Sequence, residues 1–256
     1  LAYYCKTIGI GFSSTPYSRV EVDFLINDRE APYIKVASMD LTNLPFLEYI
    51  AISGAPIVLS TGMGEMDEIV KAVNTIQQAG NNNICLLHCV SIYPPEISTI
   101  RLKNISGLRN HFPDCAIGYS DHSIGTEMAA AAVALGACMI EKHFTLDKTK
   151  IGVDNQMATE PEEMAQLVKN CHNVHVALGS EARIVFSGEI EQRLKMRRSI
   201  VAARDLFAGS LIKPEDLDVK RPGTGLSPEK IAGLIGKTLL RDVGADSLIT
   251  DADVDN

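Results

Sequence analysis

Two short segments hold the densest set of chemically able side chains in this sequence: GYSDH, ending at His122, and IEKHF, containing His143. Each closes an apolar run of strand character, and the stretch between them, TEMAAAAVALG, has a helical pattern. A strand–helix–strand unit sets its two parallel strands side by side, less than ~5 Å apart. Both imidazoles can then reach one metal ion. Asp121, Glu141 and Asp154 lie close in sequence and could add oxygen ligands or outer contacts. Two nitrogen donors with open positions suit Mn²⁺ or another octahedral divalent ion better than a closed zinc site. His88, inside the apolar run CLLHCV, reads instead as a histidine satisfied within the core.

Lys35 sits within the strand-like YIKVAS and is expected to point into the interior. A buried lysine can form a Schiff base once burial lowers its pKa, or it can hold a phosphate or carboxylate. A structural salt bridge is the plain alternative. Thr15, Ser38, Ser60 and Ser120 end successive strand-like runs and offer hydroxyl donors to an anion. Lys220 and Arg221 precede a Pro-Gly turn in VKRPGTG. Such a loop is by default solvated, although an arginine on it can hydrogen-bond a carbonyl or carboxylate through its planar fork.

These groups need a scaffold that brings strand ends together. TIGIGFSS, YIKVAS, PIVLST, NICLLHCV, AIGYS and CMIEKHFT read as strands, and their continuous apolar character fits a parallel sheet covered on both faces. Amphipathic stretches alternate with them. The last, EEMAQLVKNCHNVHVALG, has Thr159 and Glu162 spaced as a capping box and Gly179 as its stop. Polar residues recur just past each strand, which favours the mouth of an α/β (β/α)8 TIM-type barrel over one switch-point crevice. Counting to eight leaves the first two βα units outside this chain. The expected division is a partial barrel over 1–180, a charged linker over 181–196 and a small domain over 197–256. In that domain SIVAARDL and KTLLRDV read as strands and SPEKIAGLIG as a short helix.

A net charge of −8 excludes a nucleic-acid partner of ordinary kind, because binding the phosphate backbone needs a basic stripe. No apolar run approaches the ~20 residues that span a bilayer. The first residues, LAYYCKTIGIGF, carry no signal-peptide pattern and no initiator Met, so the chain reads as a fragment. Six cysteines without a CxxC pair read as reduced thiols, and a cytoplasmic location is expected.

Taken in order, SSTPYS, YIKVAS, VLSTGMG, LLHCVSIYP, IGYSDHS, IEKHFTLD and VKRPG resemble the sialic acid synthases and the related legionaminic and pseudaminic acid synthases. The resemblance spans nearly the whole chain. It implies a TIM-type barrel followed by an antifreeze-like, or SAF, domain, and a domain-swapped homodimer. It also implies condensation of phosphoenolpyruvate with N-acetylmannosamine or a related N-acetylated hexosamine at a divalent metal, Mn²⁺ first, Mg²⁺ or Co²⁺ next. By the same matching, His122 and His143 are metal ligands; Thr15, Lys35, Ser38, Ser91 and Ser120 bind phosphoenolpyruvate; Tyr93 and Asp154 contact the sugar; and Arg221 reaches its N-acyl group. Ser60 joins the substrate-binding set as a hydroxyl donor read from its place at a strand end. Asp40 stands where many members carry Glu and would hold the attacking water, and Ser91 stands where some carry Asn. The two βα units expected before SSTPYS supply further substrate contacts in the family, so the 256-residue chain alone is expected to be weakly active or inactive. A Schiff-base pyruvate aldolase using Lys35 and a non-catalytic binding or dimerisation fragment are the competing readings.

Overall fold

The computed structural model describes residues 1–255. The chain divides into two compact units, Leu1–Gly179 and Ser180–Asn256.

Five strands form the sheet of the first unit: β1 (Ile34–Val36), β2 (Ile57–Ser60), β3 (Ile84–Cys89), β4 (Ala116–Asp121) and β5 (Ile140–Lys142). They pair in parallel, in the order in which they occur in the chain. A doubly wound sheet reverses its strand order at a switch point; this one does not, which fits the wall of a TIM-type barrel. Helices Leu44–Ile52, Met66–Gln78, Asn104–His111 and Glu127–Ala134 occupy the crossovers, and Pro161–Leu178 follows β5.

Side chains alternate across the strands. Ile34, Val36, Ile57, Leu59, Ile84, Leu86 and Ile117 face the helices and pack with Leu47, Ile50, Ile69, Val73, Ile76 and Leu108 in the main core. The opposite phase forms a small interior cluster of Val58, Cys85 and Leu87 under Tyr33 and Met139. Lys35 lies between Ile34 and Val36, so it belongs to that inner phase. This alternation aims the polar residues that follow each strand into the interior.

Three expected elements differ. TIGIGFSS is not a strand: Ala2–Thr7 is helical and residues 8–18 have no regular structure. No neighbour among the described residues pairs with it, and an unpaired strand leaves its backbone groups without partners. The capping box of the last barrel-unit helix is made by Glu160 and Glu163, one residue beyond Thr159 and Glu162. The Thr159 hydroxyl instead donates to the carbonyl of His143, at 2.6 Å, and thereby ties the helix start to the end of β5. KTLLRDV forms only isolated bridges, such as Leu211–Thr238 and Leu206–Val243.

The second unit carries helix Ser187–Met196 and an antiparallel pair, β6 (Ser199–Ala202) with β7 (Leu217–Lys220). Ile200, Leu206, Ile212, Leu234, Leu239, Val243 and Ile249 form a core of its own. Among the described residues no helix is long and apolar enough to cross a membrane. All six cysteines are free; Cys85, Cys89 and Cys115 are buried, whereas Cys138 is exposed rather than in the core.

Candidate functional site

The strands of the first unit end on a cleft of about 490 Å³. Thr15, Lys35, Ser38, Ser60, Ser91, Tyr93, Ser120, His122, His143 and Asp154 all line it. Ten residues singled out along 140 positions of sequence thus meet in one place: Lys35, Ser60 and Ser120 through the inner phase of their strands, Ser38, Ser91, Tyr93, His122 and His143 on the segments just past strand ends, and Thr15 and Asp154 from loops.

One side of the cleft is a cationic, hydroxyl-rich cradle. Lys35 Nζ donates to Ser60 Oγ at 2.8 Å and to the carbonyl of Val36 at 2.9 Å, and lies 3.6 Å from Glu141 Oε2. Burial pushes the Lys35 ammonium below its usual value, and the Glu141 carboxylate opposes that shift. Ser38 Oγ accepts from the backbone N–H of Gly62 at 3.0 Å. Gly62 has no room for a side chain: a Cβ there would lie 2.2 Å from Ser91 Oγ and 2.8 Å from Ser38 Oγ. The glycine lets the backbone approach between two hydroxyls, leaving an N–H and several O–H groups around one small volume.

The other side carries the two imidazoles. The His122 and His143 rings lie 5.2 Å apart between centroids, nearly edge to face, and Tyr93 stacks on His122 at 4.2 Å. His122 Nδ1 donates to the carbonyl of Val90 at 2.8 Å, which fixes the tautomer and leaves Nε2 with a free lone pair. His143 Nδ1 is 3.8 Å from Asp154 Oδ2. Burial, joined by the nearby His122, holds the His143 imidazole below its usual value and keeps it neutral, the form that binds metals. Among the described residues no three His, Cys, Asp or Glu side chains converge as a complete metal cage. The His122 imidazole is pushed the other way: burial lowers its pKa, but the Cys89 thiol, the Val90 carbonyl and Glu141 outweigh burial and raise it. A bound cation would displace that proton, and two imidazoles with open positions, with the Asp154 carboxylate beside one of them, fit a divalent cation that keeps sites for substrate and water.

The expected residues do not all meet. Asp40 does not line the cleft; it ends the short 3-10 turn Ser38–Asp40, and its carboxylate accepts from Asn43 Nδ2 at 2.9 Å. A 3-10 turn rotates side chains by about 120° per residue, so Ser38 faces inward while Asp40 is turned away. The carboxylates that do face the cleft are Glu141 and Asp154. Asp121 lies in the opposite phase, fully buried against Lys142 on the helix side of the sheet. Arg221 is an exposed residue on the loop after β7 of the second unit.

Cys89 and Gly62 carry weight in the cleft that sequence reading did not give them. Cys89 shares the inner phase with Cys85 and Leu87, so strict alternation along β3 would have placed its thiol beside the site. The same alternation puts His88 on the helix side, where its Nε2 donates to the carbonyl of Ile100 at 2.6 Å, as a core histidine should.

The NeuB family matches residues 1–183 and the SAF domain residues 197–255. The N,N'-diacetyllegionaminic acid synthase of Legionella pneumophila is 36% identical over 97% of this chain and 70% of its own length. The human N-acetylneuraminate-9-phosphate synthase is 38% identical over 100% of this chain and 71% of its own. The crystal structure of the Bacillus subtilis spore coat polysaccharide biosynthesis protein SpsE superposes with a TM-score of 0.66 at 32% identity, covering 99% of this chain and 76% of that one. With a cleft built from the motif residues and relatives that are synthases of sialic and legionaminic acids, the chain belongs to the NeuB family of sialic acid synthases and carries a SAF domain.

Proposed function

We propose that the cleft condenses phosphoenolpyruvate with N-acetylmannosamine or a related N-acetylated hexosamine and releases phosphate by C–O cleavage. The observation that carries this reading is the meeting of two chemistries in one cleft: the Lys35 cradle for an anion and the His122–His143 pair for an aldehyde-bearing partner.

Lys35, Ser38, Ser60, Ser91, Ser120 and Thr15 hold the phosphate and carboxylate of phosphoenolpyruvate, Lys35 by charge and the hydroxyls by direction. Tyr93 and Asp154 orient the open-chain sugar so that its C1 faces C3 of phosphoenolpyruvate. His122 and His143 hold a divalent ion, Mn²⁺ by preference, whose chemistry when bound is polarisation of the sugar carbonyl. The C3–C1 bond forms as the enol π electrons attack, and the former carbonyl oxygen takes a proton. C2, left electron-poor, takes up water; Glu141, held by Ser120 and facing Lys35, accepts the water's proton in the place expected of Asp40. Collapse of the C2 hemiketal phosphate then breaks the C2–O bond to phosphate, and the 2-keto acid remains.

In the same reading three further strands close the sheet edges at β1 and β5 into an eight-stranded barrel: two from further βα units and one from TIGIGFSS, which gains a pairing partner when they are present. Arg221 serves the N-acyl group of the sugar within a domain-swapped homodimer. The VKRPG match supports the second point, and the coverage of about 70% of the synthase relatives' length supports the first.

The test is phosphate release from phosphoenolpyruvate with and without N-acetylmannosamine, in Mn²⁺ and then in excess chelator, with product mass read in the same tube. Sugar- and metal-dependent release with a nine-carbon acid supports the synthase. Silence from this chain and from a form with the two βα units added, across diacetylated sugars as well, overturns it. The lowered pKa of Lys35 favours one rival, a Schiff-base aldolase. Its ammonium is engaged by Ser60, Val36 and Glu141, which favours the charged form instead. Borohydride in the presence of pyruvate would fix a covalent adduct only in the aldolase.

A further inference from the structure

β4 and β5 are paired so that Ser120 lies opposite Glu141 and Asp121 opposite Lys142. The next residues in each strand's path are His122 and His143. Three successive cross-strand pairs therefore alternate in phase: Ser120–Glu141 and His122–His143 face the cleft, and Asp121–Lys142 between them faces the helices. The front pairs touch, through a 2.6 Å hydrogen bond in the first and a 5.2 Å ring separation in the second.

The rear pair is the only one sealed from solvent on both sides. The side chains of Lys142 and Asp121 are 2% and 0% exposed, and Nζ donates to Asp121 Oδ2 at 2.8 Å. Asp121 Oδ1 accepts from Ser123 Oγ at 2.6 Å, from Ser123 N at 2.9 Å and from Tyr119 Oη at 3.1 Å. Lys142 Nζ also donates to the carbonyl of Ser123. Five hydrogen bonds thus lock the end of β4, the turn after it and the end of β5 into one block. Neither charge reaches the cleft, so neither is used by the chemistry proposed above.

A buried ion pair is weak evidence for stability, because desolvating both charges offsets most of their attraction. Register is a better explanation for keeping one. β5 has only three residues and a single strand neighbour in the sheet, so beyond the Ser120–Glu141 bond in front and the Thr159 tie at its end, the rear ion pair is what fixes its pairing to β4. A shift by one residue would send His143 to the helix side. We propose that Asp121 and Lys142 are positioning residues that hold His122 and His143 in their edge-to-face approach, by locking the strand ends from behind. The function so assigned rests on the reading of the imidazoles as a metal pair, but the ring-to-ring geometry does not.

The test compares the wild-type chain with the Asp121→Asn/Lys142→Met double variant, which removes both charges together, and with the milder Ser123→Ala. Two readouts are taken from each: ring-to-ring NOEs with long-range ¹H–¹⁵N spectra of the imidazoles in metal-free protein, and Mn²⁺ affinity by EPR titration. The expected result is loss of the His122–His143 NOE in the double variant with its helical circular dichroism kept. Mn²⁺ affinity should fall roughly 10- to 100-fold, the range for losing an outer partner of a metal site, with excess Mn²⁺ restoring activity. Ser123→Ala should show a smaller change of the same kind. Wild-type NOEs and wild-type Mn²⁺ affinity in a folded double variant overturn the proposal. If the double variant does not fold, Ser123→Ala decides: wild-type values there make the pair structural only. If the wild type binds no Mn²⁺, the metal reading falls, and the NOEs alone still judge the positioning.

Discussion

Lys35 and Glu141 belong to the two edge strands of a five-stranded sheet, yet Nζ and Oε2 lie 3.6 Å apart. In a flat sheet four strand spacings of about 4.8 Å would separate them by roughly 19 Å. The contact therefore measures the curl of the sheet: its inner face closes on itself, and groups from its first and last strands address one small volume. Ser120 extends the link, donating to Glu141 Oε1 at 2.6 Å.

That geometry makes Glu141 the carboxylate with the most to lose by neutralisation. Glu141→Gln keeps the hydrogen bond to Ser120 but removes the proton acceptor and the counter-charge to Lys35. Phosphate release in the presence of sugar should fall by about 100-fold or more, the usual scale for a lost acid–base group, with the melting temperature little changed. Asp40→Asn should leave most of the activity, because Asp40 faces Asn43 rather than the cleft. The reverse ranking in the same assay would restore the role expected from sequence.

Gly62→Ala tests the anion cradle by filling it. The new methyl would lie 2.2 Å from Ser91 Oγ and 2.8 Å from Ser38 Oγ, so one hydroxyl must rotate away from the cleft. Each hydrogen bond to a charged ligand is worth about 1.5–3 kcal/mol. The KM for phosphoenolpyruvate should therefore rise by about 10-fold or more, with a smaller effect on the sugar KM. Equal effects on both substrates in steady-state kinetics would place the phosphate elsewhere.

The extent to which sequence alone located these groups follows from what a one-dimensional pattern contains. Inner phase and strand-end position are periodic properties, so Lys35, Ser60, Ser120, His122 and His143 could be placed from the apolar runs around them. The outward turn of Asp40 could not, because it depends on a single 3-10 turn after β1. The role of Gly62 depends on how closely Ser38 and Ser91 approach it, and they lie on different strand ends. The helix boundary at Glu160 shifted because Thr159 had a stronger use, holding the His143 carbonyl. TIGIGFSS failed as a strand because apolar sequence supplies a propensity but no pairing partner.

His88 gives the first unit a definable acid sensitivity. Burial pushes its imidazole below the usual value, although its bond to the Ile100 carbonyl pulls the other way. The unfolded chain therefore binds a proton, near pH 6.5, that the folded chain refuses. Stability contributed by the neutral ring is fully present above that pH and is lost as pH falls toward the lower folded value. Denaturant melts of wild type and His88→Gln should show a smaller loss between pH 7 and 5 in the variant. Parallel pH curves would mean that the ring is not buried neutral.

The second unit has its own acid-sensitive support, and it can be read separately. Asp253 is fully buried; its Oδ2 accepts from Thr250 N and Oγ1, both at 2.7 Å, and its Oδ1 from Arg241 Nε. Burial alone would raise its pKa, but the Arg241 and Thr250 donors outweigh burial and hold the carboxyl below the usual range. Stability from this group is present above about pH 4 and declines as pH falls through the lower folded value. Asp253→Ala strands the Thr250 donors and should cost about 2–3 kcal/mol in the unfolding of this unit. Proteolysis is the measurement that isolates it. The variant should be cleaved within 197–255 while the first unit stays intact, and simultaneous cleavage of both would show that the two units do not unfold separately.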